Sequence, residues 1–164
     1  MAHPGRPRKC DPKVEWLSND IRQKRNPLVK SVLDEVGIDC PDGNARTALI
    51  HAAAYNNLEL LKWLIEKGAN VNHQDRIGYC ALHFAGQNKL VDIAKFLLEN
   101  GADPNLQDIH GNSPLWTAVF ESKAEKEVMN LILKSGGDPN LYNKYDKSPG
   151  DLYKMLHNIE IPKF

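Results

Sequence analysis

The sequence has few of the residues that mark disulfide frameworks, metal sites or membrane spans. It contains three cysteines, Cys10, Cys40 and Cys80, which are far apart and form no Cys-x-x-Cys pair. We therefore expect reduced thiols in a cytoplasmic protein, without a disulfide framework or a zinc site. No apolar run reaches the roughly 18 residues that a membrane span requires. The N-terminal residues also lack the apolar segment of a signal peptide, so we expect no membrane association.

Net charge is absent as well, because 21 basic and 21 acidic residues balance. The charges are nevertheless uneven, since residues 1–30 contain eight Lys or Arg and three Asp or Glu. We interpret residues 1–10 as a disordered basic tail, because such charge runs are usually solvated. The alternative is an electrostatic contact with an acidic partner or with nucleic acid. No aromatic residues alternate with the basic ones in the tail, which disfavours nucleic-acid binding.

Motifs typical of enzymes are also missing. The chain has no phosphate-binding Gly-x-x-x-x-Gly-Lys-Ser/Thr loop, no His-Glu-x-x-His, no Gly-x-Ser-x-Gly and no calcium-binding EF-hand loop. We therefore predict a protein that is not an enzyme and binds no cofactor or metal.

What the chain does contain is a repeat. Asp42, Asp75 and Asp108 are spaced by 33 residues, and the copy that begins at Asp108 is two residues longer. Every copy has an apolar stripe with helical spacing, and a glycine follows this stripe. A residue in the left-handed conformation ends a helix, and glycine adopts that conformation without penalty. These glycines are Gly68, Gly101 and Gly136.

A short motif recurs at the start of each copy. It reads Thr47-Ala-Leu-Ile, Cys80-Ala-Leu-His and Ser113-Pro-Leu-Trp, and a degenerate form follows as Ser148-Pro-Gly-Asp. A period near 33 with a Thr-Pro-Leu-His-like opening resembles the ankyrin repeat. The resemblance implies an all-α solenoid of stacked helix-turn-helix pairs with short hairpin loops. A hydroxyl residue in the first slot can cap the following helix, and Cys80 is a poorer cap.

Two further patterns involve histidine. Cys80 and His83 could be drawn as a thiol–imidazole pair, but both occupy slots where the repeat places residues for capping and local hydrogen bonds, so we favour a structural role. The other histidines show no metal-ligand spacing; they include His51, His73, His110 and His157.

We predict that the rest of the chain, residues 11–164, forms a single ankyrin-repeat domain. Its predicted parts are an N-terminal cap at 11–41, repeats at 42–74, 75–107 and 108–142, and a C-terminal cap at 143–164. The cap helices are expected from about residue 12, near 27–36 and within 143–156, and the two extra residues of the third repeat are expected in the loop 121–127. Residues expected in packing or buried stripes include Trp16, Leu28, Trp63, Phe96, Trp116, Leu152, Met155 and Leu156.

The resemblance also implies a binding surface. In such solenoids the hairpin tips and the first helix of each pair form a concave face, and partners bind there. The family's variable positions, carried over one at a time, give the candidate contacts Asn44, Arg46, Tyr55, His73, Arg76, Ile77, Tyr79, Asn88, Ile109, His110, Asn112, Phe120, Glu121, Tyr142 and Tyr145. Tyr79 and Phe120 are expected to be the main anchors, at corresponding exposed positions of adjacent repeats.

The predicted function is therefore non-enzymatic binding of another protein, by a monomer. The third repeat and its inserted loop resemble small bacterial ankyrin proteins of the toxin-neutralising (immunity) type, which implies an inhibitor that masks a toxin's active site. The alternative is a viral or host-directed ankyrin protein that sequesters a signalling or transcription factor. A module that binds RNA or DNA through the basic N-terminal end is a third hypothesis.

Overall fold

The computed structural model describes residues 11–122 and 126–162, and these residues form helices without any strand. This confirms the predicted all-α solenoid. The predicted basic tail, which includes Cys10, and residues 123–125 of the predicted insertion loop 121–127 lie outside the described residues. The helices are α1 (Pro12–Glu15), α2 (Leu17–Arg22), α3 (Asn26–Val36), α4 (Ala48–Ala54), α5 (Leu58–Glu66), α6 (Ala81–Gln87), α7 (Val91–Glu99), α8 (Pro114–Glu121), α9 (Glu127–Lys134) and α10 (Pro149–His157).

The first helix of each pair packs against the first helix of the next, so that α4, α6, α8 and α10 follow one another along the stack. Small residues permit this close approach. A Cβ atom at Gly86 of α6 would lie 3.2 Å from the carbonyl oxygen of Pro114 and 3.3 Å from the backbone nitrogen of Ala118. The second helices α5, α7 and α9 cover the other side with fully buried apolar side chains, including Leu61, Leu64, Leu97 and Ile132. One continuous core results, because no helix pair buries its apolar side alone.

Each copy begins with a hairpin that is organised by its first side chain. In the second copy, the Oδ1 atom of Asp75 accepts hydrogen bonds from the backbone N–H groups of Ile77 (3.0 Å) and Tyr79 (2.9 Å). Asp42, Asp108 and Asn143 accept the same pair of bonds in the other hairpins. These local bonds explain why an Asp or Asn recurs at this place, since such side chains stabilise turns through their own backbone.

Hydrogen bonds also connect successive hairpins. The backbone N–H of Arg76 donates to the carbonyl oxygen of Asn44 (2.9 Å), and that of Ile109 donates to the carbonyl oxygen of Ile77 (3.0 Å). Lys144 N–H continues the series to the His110 carbonyl oxygen at 2.9 Å. The hairpin tips are therefore held in one row, which fixes the positions of their side chains relative to one another.

The helix starts follow the recurrent motif, with one exception. The hydroxyls of Ser113 and Ser148 accept from the backbone N–H groups of Trp116 (3.3 Å) and Asp151 (3.1 Å). At Cys80 the following histidine contributes to the cap, because the Nδ1 atom of His83 accepts a hydrogen bond of 3.2 Å from the Cys80 backbone N–H and lies 3.1 Å from the Cys80 Sγ. Thr47 is the exception, since its buried Oγ1 has no hydrogen-bond partner within the described residues.

The N-terminal cap corrects two expectations about burial. Trp16 was expected in the core, but it is 76% exposed, because it separates α1 from α2 and points away from the buried Val14 and Leu17. Leu28 is 50% exposed, whereas its neighbour Val29 is buried. On a helix, adjacent residues lie on different faces, and α3 buries the face of Val29 and Leu33.

The C-terminal cap requires a similar correction. Leu152 is buried as predicted, but Met155 and Leu156 are exposed, by 73% and 46%. The side chains that α10 buries are those of Pro149, Leu152 and Tyr153, so Met155 and Leu156 lie outside the core. After α10 the chain folds back, and Ile161 is buried beside Gly150.

The concave face as candidate binding surface

The predicted contacts fall into two groups, and ten of the fifteen have exposed side chains. They lie on the hairpin tips and on the last turns of the first helices, which the row of hairpins aligns. This exposed group consists of Asn44, Tyr55, Arg76, Ile77, Asn88, Ile109, His110, Phe120, Tyr142 and Tyr145.

Two predicted contacts have structural partners within the stack. The Nε of Arg46 donates to the Oδ2 of Asp75 at 2.9 Å, and its guanidinium lies 5.0 Å from the ring centroid of Phe84. The Nε2 of His73 lies 2.8 Å from the carbonyl oxygen of Ala45. Both side chains therefore connect the first repeat to the second or close a hairpin, and both are only partly exposed.

Asn112 and Glu121 are also partly buried. The side-chain oxygen of Asn112 accepts from the Nδ2 of Asn143 at 2.8 Å, and its carbonyl oxygen lies 3.1 Å from the Nε2 of His83. Asn112 thus joins α6 of the second repeat to the third and last hairpins.

Tyr79 does not match the position expected for an anchor. Its ring stacks on His83 with centroids 4.7 Å apart and meets Phe84 edge-on at 5.3 Å. Burial raises the pKa of the Tyr79 phenol, although a hydrogen bond from the Thr117 hydroxyl opposes this. Tyr79 lies just before α6, whereas Phe120 lies in the last turn of α8, so the two positions do not correspond. Phe120 is 57% exposed and remains available as an anchor.

The first-repeat end of the concave face is a polar cleft of 430 Å³. The Nε2 of His51 lies 2.8 Å from the Oδ2 of Asp42 there, and the ring of Tyr55 stacks on His51. Burial lowers the pKa of His51 despite the nearby carboxylate of Asp42. Burial also acts to raise the pKa of Asp42, but hydrogen bonds from the Arg46 N–H and from His51 outweigh it and leave that pKa lowered.

The opposite end of the concave face is apolar. Phe120 on α8 is followed on α10 by Met155, which stands 35 residues later at the corresponding position. Beside them, Trp116 and Leu152 line a cleft of 520 Å³ between the two helices. The sequence interpretation missed these α10 residues, although an alignment of Ser113 with Ser148 places Met155 opposite Phe120 and Leu156 opposite Glu121.

The convex side, which is formed by the second helices α5, α7 and α9, differs in composition from the concave face. Trp63 on α5 and Phe96 on α7 were expected in packing, and both are partly buried against the core. The ammonium groups of Lys30 and Lys67 lie 5.3 and 5.9 Å from the Trp63 ring centroid, and that of Lys62 lies 5.6 Å from Phe96. Among the described residues, α5, α7 and α9 contribute no exposed large apolar side chain.

Comparison with known proteins agrees with this architecture. The sequence pattern described as "Ankyrin repeats (3 copies)" matches residues 17–108, and the pattern described as "Ankyrin repeat" matches residues 110–144. The chain belongs to the ankyrin repeat family. The match that begins at residue 17 includes most of the segment predicted as the N-terminal cap. Ankyrin repeats are in general non-enzymatic scaffolds for protein–protein interaction, so this ankyrin repeat protein is an interaction module.

One relative is the E3 ubiquitin-protein ligase Ufd4 of Drosophila melanogaster, which is 37% identical over 71 residues. The matched stretch is 42% of the present ankyrin repeat protein and 2% of the fly protein. The similarity therefore concerns a short segment that spans a very small part of the fly protein's length.

No helix within 11–122 or 126–162 is long and apolar enough to cross a membrane. In the same residues, no three His, Cys, Asp or Glu side chains are grouped so that they could hold a metal ion.

Proposed function

We propose that this ankyrin repeat protein acts as a cytoplasmic monomer that binds another protein through its concave face, without catalysis of its own. The observation that supports this most directly is the asymmetry of the two sides. Exposed large apolar side chains recur along the hairpin tips and first helices, and examples are Ile77, Ile109, Phe120 and Tyr145. Exposed apolar groups that form a continuous patch are typical of protein-binding sites.

The residue types also suit a protein partner. Tyrosine, phenylalanine and arginine are enriched at protein interfaces, and they provide large contact areas. Tyr55, Phe120, Tyr142 and Tyr145 are all more than a third exposed, and Arg76 extends from the second hairpin tip. The free thiols of Cys40 and Cys80 support the cytoplasmic location, which reduces disulfides.

Within this proposal, toxin neutralisation and sequestration of a signalling or transcription factor differ in the partner. The resemblance of the third repeat to immunity-type ankyrin proteins supports the first hypothesis, and neither the fold nor the fly ligase distinguishes between them. The ligase activity in the fly protein's name is not assigned to this chain, because the matched stretch is only 2% of the fly protein.

Photo-crosslinking in the cells that naturally produce the protein tests the proposal. A photoreactive amino acid is placed at Ile109 or Phe120 on the concave face and, as the matched control, at Lys62 or Lys95 on the convex side. We expect one partner protein to be crosslinked from the concave positions and not from the convex ones. A secreted toxin as the partner would support neutralisation, and a host factor would support sequestration. Crosslinks from the lysine positions alone would contradict the proposal.

A further inference from the structure

The apolar cleft between α8 and α10 is a part of the concave face that the sequence interpretation did not predict. Its volume of 520 Å³ is in the range of sites that enclose a small ligand or a large side chain. Trp116 and Leu152 form its walls, and Met155 stands at its edge with 73% of its surface exposed. The cleft is thus open to a partner on the concave face, and its walls are mainly carbon.

The apolar character of the cleft follows from a substitution within the repeat pattern. In the second repeat, the corresponding position is His83, whose Nε2 lies 3.1 Å from the carbonyl oxygen of Asn112 in the next hairpin. Trp116 has replaced this histidine in the third repeat, and its indole ring is only partly buried beside Lys147. At this position, the second repeat has a side chain that contacts the next hairpin, whereas the third repeat has one that forms an aromatic wall of the cleft.

The charged residues at the edge of the cleft indicate which type of residue stands next to the apolar side chain in a segment that binds there. The Nζ of Lys154 is paired with Glu160 at 2.6 Å, and the Oδ2 of Asp151 accepts two hydrogen bonds of 2.9 Å from Ser148. Lys147 also lines the cleft. Its ammonium group forms no hydrogen bond or ion pair within the described part of the chain, although it acts electrostatically on the nearby Asp151 carboxylate. Two lysines and one aspartate line the cleft, so its lining has a net positive charge.

We propose that this cleft binds a short segment of the partner protein in which a large apolar side chain is directly followed by a carboxylate residue. The apolar side chain lies against Trp116, Leu152 and Met155, and the carboxylate pairs with Lys147. This rests on the proposed function, because it assigns a partner chemistry to one end of the concave face. A basic segment, including the chain's own residues 1–10, does not fit this arrangement, because its Lys and Arg side chains repel Lys147.

Peptide binding to the full chain tests this assignment. Three blocked peptides of equal length serve as probes: one contains Leu-Phe-Asp-Glu, one contains Leu-Phe-Lys-Lys, and one contains Ala-Ala-Asp-Glu. Two-dimensional NMR spectra follow the indole N–H of Trp116, which is assigned with a Trp116→Phe variant, and the methyl group of Met155. We expect the Leu-Phe-Asp-Glu peptide to shift both signals and the other two to bind roughly threefold more weakly or worse, as the loss of one ion pair or one apolar contact implies.

A charge reversal provides the decisive control. The Lys147→Glu variant should prefer the Leu-Phe-Lys-Lys peptide, and Lys95→Glu on the convex side should retain the original preference although it changes the net charge equally. Both lysines are exposed, so neither substitution removes core packing. An unchanged preference in Lys147→Glu, or no shift of Trp116 with any peptide, would overturn the assignment.

Two further outcomes distinguish this assignment from the proposed function. Peptide-induced shifts at Ile77 and Ile109 without a shift at Trp116 would overturn the assignment and leave the concave face as the binding surface. Sedimentation velocity tests whether a second copy of the protein occupies the cleft. Self-association of the unmodified protein that Met155→Glu abolishes would show that the cleft binds another copy, and it would overturn the partner segment proposed here.

Discussion

The side chains of Arg46 and Asp75 join the first two repeats through a hydrogen bond of 2.9 Å between Nε and Oδ2. The Asp75 side chain is 2% exposed, and its other oxygen holds the second hairpin together through Ile77 and Tyr79. Arg46 therefore acts first on the stability of the stack, although the repeat pattern places it among the variable binding positions.

A double-mutant cycle measures this link. Arg46→Met, Asp75→Asn and the combined variant are unfolded in urea, and we expect a coupling free energy of about 0.5–3 kcal/mol, as is typical of residues in one hydrogen-bonded network. Additive losses would contradict a direct link between the two side chains.

Leu97→Ala should destabilise the protein by about 2–5 kcal/mol, because it leaves a cavity in the core. Leu97 is fully buried on α7. Asn88→Ala is the comparison on the concave face, where the side chain is exposed and donates one hydrogen bond of 3.2 Å to the Ala54 carbonyl oxygen. Its cost should be about 0.5 kcal/mol. Equal losses in a urea titration would show that the inward and outward sides have been assigned wrongly.

Two glycines with the same backbone conformation should respond differently to alanine. Gly78 and Gly101 have φ angles of 82° and 85°, but only at Gly78 would a Cβ atom meet another repeat, 2.7 Å from the Cα of Asp108. Gly101→Ala should cost about 1–2 kcal/mol from the left-handed backbone alone, and Gly78→Ala should cost clearly more. Chemical denaturation decides this, and a smaller loss for Gly78→Ala would mean that the hairpins are not packed as closely as described.

The free energy of unfolding should fall as the pH drops from about 7.5 to about 5, because buried histidines favour the neutral form. Burial lowers the pKa of both His51 and His83 in the folded protein, so the unfolded chain binds more protons in this range. Stability is then complete above the ordinary histidine pKa and is lost as the pH falls below it. Asp42 acts in a lower range, because its pKa is lowered and its contribution is lost only when its carboxylate is protonated.

Urea titrations at several pH values test this, with a His51→Gln, His83→Gln double variant as the control. The variant should be less stable at neutral pH, but its free energy of unfolding should change less with pH. A slope as steep as that of the unmodified protein would rule out these histidines as the cause.

The sequence predicts the interior of the stack better than its ends. The period of 33 residues and the glycines after α5, α7 and α9 are local signals, and the helices begin and end where those signals stand. Trp16, Leu28 and Met155 were misplaced because an apolar residue in a cap has a neighbour on only one side, and helical spacing alone does not identify that side.

The candidate site was predictable to the extent that exposure follows position in the repeat. Ile77, Ile109 and Phe120 are exposed as the pattern implies. The partners of Arg46 and Tyr79 were not predictable, since they depend on which side chains of the next repeat come within reach. The cleft at Trp116 depends in the same way on contacts between α8 and α10 that no single repeat encodes.

Binding of a protein partner to the concave face is tested most directly by isothermal titration calorimetry, with the partner that photo-crosslinking identifies. Phe120→Ala combined with Tyr145→Ala should weaken binding by at least about 2 kcal/mol, roughly thirtyfold in affinity, while the fold is retained because both side chains are exposed. Lys62→Ala combined with Lys95→Ala on the convex side should leave the affinity nearly unchanged. If the lysine pair abolishes binding and the aromatic pair does not, the partner binds the convex side and not the concave face.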